Sequence, residues 1–154
     1  QLSLNSLANI PGVLIRTNDR QIEPNTFKHL ALSGKAILFH TGWSQHFRTD
    51  LYLKGYPFLD ATCGTILANK GVTLVGIDSP NIDDHENKSR PVHTALLEAG
   101  IPIVEHLTGL SELPLTGFSF FAVPPMICGF TSFPVRAFAL INPDKSRLTS
   151  NLGG

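Results

Sequence analysis

Pro91-Val-His-Thr-Ala-Leu-Leu-Glu-Ala-Gly-Ile-Pro-Ile-Val-Glu-His106 reads as a helix, a turn and a strand in one run. Pro91 suits the first helical turn, where its missing N–H is not needed. Ser89 is placed to cap that turn. Leu96, Leu97 and Ala99 give the helix an apolar face, and Gly100 is the residue expected just past its end. Pro102 forbids further helix and starts an extended run. Such a unit carries His93, at the helix start, and Glu105, at the strand end, to the same open end. A neutral imidazole and a carboxylate that meet suit Zn²⁺ or Mn²⁺. Two ligands do not complete a site, and taken singly a His at a helix start or a Glu at a strand end is usually a capping or solvated group.

The rest of the chain supplies a sheet for this unit. Val72 to Asp78 is nearly all apolar, as in a strand covered on both faces. Asp78 stands at its carboxyl end, where α/β sheets place ligands. Asp83, Asp84, His85 and Glu86 follow in the polar segment Ser79 to Lys88, which reads as a solvated loop. Ala61 to Lys70 reads as a helix capped by Asp60 and closed by Gly71. Gly12 to Thr17 and Lys35 to Thr41 read as strands, with a short helix over Thr26 to Leu32 between them. Gly117 to Val123 and Pro134 to Ile141 are further strands, and the polar segment from Asn142 is expected to fray. Strands and helices alternate and then give way to strands alone, so the fold class is α/β with a mixed β-sheet core and flanking helices. Between the second strand and the Asp60 helix, Trp43, Phe47, Tyr52, Tyr56 and Phe58 crowd into one irregular segment. Its aromatics can pin the loop to itself, and Trp43 and Phe47 can also wall a pocket for an aromatic substrate.

Composition narrows the partners. The chain has 154 residues, 42% of them hydrophobic and 16% charged, which suits one domain able to bury a core. Its formal net charge is zero and its Lys and Arg are scattered, so no nucleic-acid partner is expected. No apolar run approaches a membrane span, and Gln1 to Ile10 lacks the basic start and apolar block of a signal peptide. Cys63 and Cys128 show no Cys-x-x-Cys spacing and are expected to be buried free thiols of a cytoplasmic protein, with a single disulfide between them as the alternative. Gly-x-Gly-x-x-Gly, P-loop and Gly-x-Ser-x-Gly motifs are absent, which removes support for nucleotide binding and for an α/β serine hydrolase.

The order of motifs resembles the cyclase family of metal-dependent hydrolases, which includes bacterial kynurenine formamidase and isatin hydrolase. The stretches that carry the likeness are Leu38-Phe-His-Thr-Gly-Trp43, Gly71-Val-Thr-Leu-Val-Gly-Ile-Asp-Ser-Pro80 with Ile82-Asp83, and Pro91-Val-His93. They continue with Leu96 to Glu105, Leu110-Ser-Glu-Leu-Pro114 and Pro134-Val-Arg-Ala137. The resemblance implies a swivelling β/β/α fold and assigns His93 and Glu105 to the metal, Zn or Mn, with two ions possible in a complete site. It implies hydrolysis of a small amide by metal-activated water, with N-formylkynurenine as the leading substrate, and a homodimer or homotetramer. The family signature His-x-Gly-Thr-His-x-Asp-x-Pro-x-His is missing. The catalytic His and the other ligands are therefore expected upstream of Gln1, and residues 1–154 are expected to form a single cyclase-like domain truncated on its N-terminal side. The rival expectation is a catalytically inactive relative that serves as a binding or assembly module.

Overall fold

A computed structural model describes residues 3–127, 129 and 132–141. The expectations for Cys128 and for the segment from Asn142 lie outside these residues. The strands in chain order are β1 (Ile10–Arg16), β2 (Gln21–Ile22), β3 (Ala36–His40), β4 (Phe58–Leu59), β5 (Leu74–Ile77), β6 (Ile103–Val104), β7 (Phe118–Phe121) and β8 (Phe138–Ile141). Two helices, α1 (Cys63–Asn69) and α2 (Pro91–Glu98), lie between β4 and β6. The main sheet has the order β6-β5-β3-β1-β7-β8. Its first four strands are parallel, and β7 and β8 are antiparallel additions. The fold is thus α/β with a mixed sheet and flanking helices, as the alternation of elements implied. The two-residue strands β2 and β4 pair separately and in parallel. They are too short for a periodic signal, and the sequence reading did not find them.

The apolar run of β5 is explained by burial on both faces. Val75 and Ile77 join Ile37, Phe39, Leu67 of α1 and Leu96 of α2 in one core. Leu74 joins Leu14, Leu38, Leu107, Leu110, Phe118 and Phe120 in the other. A sheet covered on both sides needs no polar alternation in its central strands. β7 does alternate, with Phe118 and Phe120 buried and Ser119 and Phe121 half-buried.

Helix α2 is held close to α1 by a glycine. A Cβ at Gly64 would stand 2.9 Å from Val92 Cα and 3.0 Å from Val92 O. The missing side chain lets α1 touch the backbone of α2 one residue before His93. At its other end α2 stops as expected. Gly100 takes φ +73°, and Ile101 N–H donates to Leu96 O at 2.9 Å.

Four local expectations are corrected. Ser89 does not cap α2: its N–H and hydroxyl both donate to Asn87 Oδ1, and the residue before the helix is Arg90 in the left-handed region, without a side-chain cap bond. The helix expected over Thr26 to Leu32 is a single 3-10 turn at Pro24–Thr26. Pro24 opens that turn, and the first carbonyls are met by i+3 bonds that do not propagate. Asp60 Oδ1 accepts from Thr62 N–H and Thr62 Oγ1, so α1 begins at Cys63 rather than Ala61. Finally, the loop after β5 is not wholly solvated, because Ile82 is fully buried and Asp83 is 1% exposed.

Cys63 meets its expectation of a buried free thiol. Its Sγ–H donates to Ile22 O at 3.2 Å. Burial first, then the nearby Asp60 and Glu23 carboxylates, push the thiol up to about 12. Peptide mass spectrometry after iodoacetamide treatment at pH 8 is expected to find Cys63 unlabelled in the native protein and labelled in denaturant. Native labelling at the unfolded rate refutes the burial. Gly64→Val is expected to cost about 1–3 kcal/mol through overpacking against α2. Chemical denaturation measures the loss, and an unchanged midpoint means that the helices separate freely.

Candidate functional site

Three parallel strands release their chains at the same edge of the sheet. Thr41-Gly42-Trp43 follows β3, Asp78-Ser79 follows β5, and Glu105-His106 follows β6. The carboxyl edge of parallel strands is where side chains from several loops converge. Here the edge is occupied by buried and half-buried carboxylates.

Asp78 is fully buried and spent on the neighbouring loop. Its Oδ1 accepts from Thr41 N–H at 2.9 Å and Thr41 Oγ1 at 2.6 Å, and its Oδ2 accepts from Gly42 N–H at 2.8 Å. The carboxylate thereby sets the turn from which Trp43 departs. The expectation that Asp78 marks the ligand edge holds for its position, and its bonds are those of a loop clamp.

Asp83 does the capping that Ser89 does not. Its Oδ1 accepts from Val92 N–H at 2.8 Å, and its Oδ2 accepts from His93 N–H at 3.0 Å. A carboxylate at a helix N-terminus meets both orphan donors and the positive end of the helix dipole. Asp83 Oδ2 also lies 2.6 Å from His93 Nδ1. An ionised carboxylate only accepts, so Nδ1 carries the proton and Nε2 presents its lone pair. Burial pushes the Asp83 carboxyl up, and the bonds from the His93 side chain, the His93 N–H and the Val92 N–H outweigh it, so the group rests below its ordinary value.

His93 Nε2 and Glu105 Oε1 are 3.4 Å apart. The structure therefore brings together the two residues that the sequence singled out. Glu105 Oε1 also accepts from Ile82 N–H at 2.8 Å, which ties β6 to the same loop that carries Asp83. Arg90 completes the cluster. Its Nη2 donates to His93 Nε2 at 2.6 Å, from a backbone at φ 47°. One lone pair serves one electrophile at a time, so a cation on Nε2 and this Arg90 contact exclude each other.

The donor chemistry fits a borderline divalent ion in part. A histidine whose remote N–H is held by a carboxylate is oriented as metal-bound histidines are, and Glu105 adds a hard oxygen. Two donors are fewer than the three that catalytic zinc sites take from protein. No group of three or more His, Cys, Asp or Glu able to hold a metal occurs among the described residues.

Trp43 and Phe47 lie on the loop after β3. Trp43 opens a 3-10 turn, and its Nε1–H donates to Tyr52 O at 2.9 Å. Phe47 is half exposed and meets the Tyr52 ring edge-on at 5.3 Å. The aromatics thus pin their own loop, and Phe47 stays half exposed with the Arg48 guanidinium over its ring at 5.6 Å from the centroid. Tyr52 is the residue both depend on, and its hydroxyl lies 2.9 Å from His106 Nδ1. The loop is in this way bonded to the residue next to Glu105. Tyr52, Asp83, Arg90 and His106 were absent from the sequence-derived site. Asp83 left a signal in the aliphatic Ile82 that turns its loop inward, and Tyr52 left one as a member of the aromatic segment between Trp43 and Phe58.

Comparison with known proteins agrees with this architecture. The kynurenine formamidase of Salinibacter ruber (strain DSM 13855 / M31) is 40% identical over 78 residues, which are 51% of this chain and 36% of that protein. That of Geobacillus thermodenitrificans (strain NG80-2) is 30% identical over 138 residues, 88% of this chain and 64% of that protein. The chain therefore spans between about a third and just under two thirds of the length of these curated relatives. Among solved structures, a potential metal-dependent hydrolase with cyclase activity superposes with a TM-score of 0.79 at 26% identity, covering 92% of this chain and 69% of that chain. An isatin hydrolase bound to the product analogue thioisatinate gives 0.83 at 19% identity over 92% of this chain and 63% of that chain, a likeness of fold alone. The family model described as "Putative cyclase" matches residues 2–84, more than half of the 154 residues, and this chain belongs to that cyclase family.

Proposed function

We propose that the protein takes part in metal-dependent hydrolysis of a small aryl amide, arylformamidase-like, converting N-formylkynurenine to kynurenine and formate. The observation that carries the reading is the Asp83–His93–Glu105 arrangement at the carboxyl edge of the sheet. The kinship with kynurenine formamidases supports the choice of reaction. His93 Nε2 and Glu105 would hold a zinc or manganese ion, with further ligands from residues outside this pair.

A bound divalent ion supplies Lewis acidity and lowers the pKa of water toward neutrality. The chain's own residues do the rest of the work assigned to them here. Asp83 keeps the proton on His93 Nδ1, so the ring offers its other nitrogen and cannot turn away. The Ile82 N–H holds Glu105 Oε1 beside that nitrogen. Trp43 and Phe47 on the adjoining loop are the candidates to contact an aryl ring, Phe47 being half exposed with Arg48 over its ring. The expected oligomer, a homodimer or homotetramer of a cytoplasmic enzyme, belongs to the same proposal.

His93→Ala and Glu105→Gln are each expected to weaken Zn²⁺ or Mn²⁺ binding in the whole protein. Calorimetry measures the affinity, and hydrolysis of N-formylkynurenine, followed by kynurenine absorbance, is expected to fall in parallel. Asp83→Asn is expected to lower metal affinity about 10- to 100-fold, the usual cost of losing a carboxylate behind a ligand histidine. Metal affinity unchanged in all three variants removes the pair from the site. Tight metal binding without hydrolysis of any aryl formamide favours instead a relative that has kept the scaffold as a binding or assembly module.

A further inference from the structure

His106 is the titratable residue at this edge that the reading above leaves unused. It follows Glu105 directly and takes φ 60°, a left-handed conformation uncommon outside glycine. The turn is fixed from both sides, because His106 N–H donates to Ser79 O at 3.0 Å and Leu107 N–H to Ile77 O at 3.1 Å. A strained residue held in place beside a site points to a role for its side chain. The imidazole is exposed, yet it is anchored: its Nδ1 meets the hydroxyl of Tyr52, which is 5% exposed.

That anchor engages Nδ1 and leaves Nε2 on the far side of the ring. Burial, then Asp78 and Glu105, hold the Tyr52 phenol up at about 12. A protonated phenol can donate or accept; where Tyr52 is the donor of the 2.9 Å pair, Nδ1 accepts. The proton of the neutral ring then sits on Nε2, on the side of the ring away from Tyr52. Tyr52 also receives the Trp43 indole N–H on its carbonyl and the Phe47 ring on its face. One residue therefore orients the imidazole and fixes the aromatic loop.

We propose that His106 Nε2–H is a substrate-binding donor that selects aryl amides carrying a second acceptor oxygen, and that Tyr52 is the residue positioning it. The proposal rests on the aryl amide reading above. An N–H fixed at one place on the rim recognises an oxygen at a matching distance from the scissile amide, such as a ring-attached ketone. A plain anilide offers it nothing, so His106 discriminates between substrates without taking part in bond breaking.

The test compares N-formylkynurenine, which carries an aryl ketone, with formanilide, which lacks one, on the metal-loaded whole protein. His106→Gly removes the donor and relieves the left-handed backbone, so folding is preserved. Tyr52→Phe keeps the buried ring and removes only the hydroxyl. His106→Gly is expected to raise KM for N-formylkynurenine roughly three- to tenfold, the worth of one neutral hydrogen bond, with kcat little changed and the KM for formanilide unmoved, while Tyr52→Phe, which also unties the aromatic loop, is read by its effect on the His106 tautomer. His106→Asn, which tolerates the left-handed region and keeps an N–H donor, is expected to recover part of the loss. Long-range ¹H–¹⁵N NMR should show His106 as the Nε2–H tautomer in the wild type and as a mixture in Tyr52→Phe. Equal effects on both substrates, no effect on either, or an Nδ1–H ring in the wild type each overturn the proposal. If the wild type hydrolyses neither compound, the hydrolase reading fails separately. The product kynurenine then decides: a His106 Nε2 shift on titration upholds the donor role, and no shift overturns it.

Discussion

The start of α2 and the orientation of His93 depend on one buried carboxylate. Asp83 is 1% exposed, and an ion taken that far out of water is tolerated only when its lone pairs are filled. Two backbone N–H groups of α2 and the His93 ring fill them. The same bonds start the helix, set its direction against β6 and decide which histidine nitrogen is offered. Replacing this carboxylate by a capping residue within the helix's own sequence would start α2 equally well. It would leave the imidazole free to rotate and to exchange tautomers. The cap comes from the loop that leads into the helix, and it holds the histidine as well as the helix start.

The same solution recurs along the edge. Asp78 takes two backbone N–H groups and a hydroxyl from the turn after β3, and Glu105 takes the Ile82 N–H. Each carboxylate ends one strand or loop and closes the next one over. Loops that carry chemistry are mobile unless something ties them to the scaffold. Here the ties are short charge-assisted bonds to backbone, which are stronger than neutral ones and leave little slack. The close approach of α1 and α2 at Gly64 serves the same end from below, since it places Val92 and therefore His93 relative to the sheet.

How much of this was legible follows from range. The α2–β6 unit was legible because its signals are local: Pro91 at the start, Gly100 at the stop, Pro102 at the strand. The buried strands were legible from apolar runs, and their burial on both faces from the absence of alternation in Val72 to Ile77. The meeting of His93 and Glu105 followed from that unit alone. Asp83 was misread because acidic residues in a polar run are ordinarily solvated, and its partners lie 9 and 10 positions away on another element. Tyr52 and His106 are 54 positions apart, and no local pattern announces such a bond. Arg90 carried no sequence signal either, since a left-handed backbone at a non-glycine residue is imposed by its surroundings.

The aromatic segment shows why a structural and a functional reading of the same residues need not compete. A loop whose rings pack only on one another would be stable and yet indifferent to the carboxyl edge of the sheet. Tyr52 removes that indifference. Its carbonyl takes the Trp43 indole N–H, its ring takes the Phe47 edge, and its hydroxyl reaches His106, one residue from Glu105. A displacement of the loop therefore strains the chain that carries the carboxylate, and a displacement of the carboxylate strains the loop. The segments that carry the half-exposed Phe47 ring and the Glu105 carboxyl are thereby linked through Tyr52 and His106, although β3 and β6 are separated in the sheet by β5.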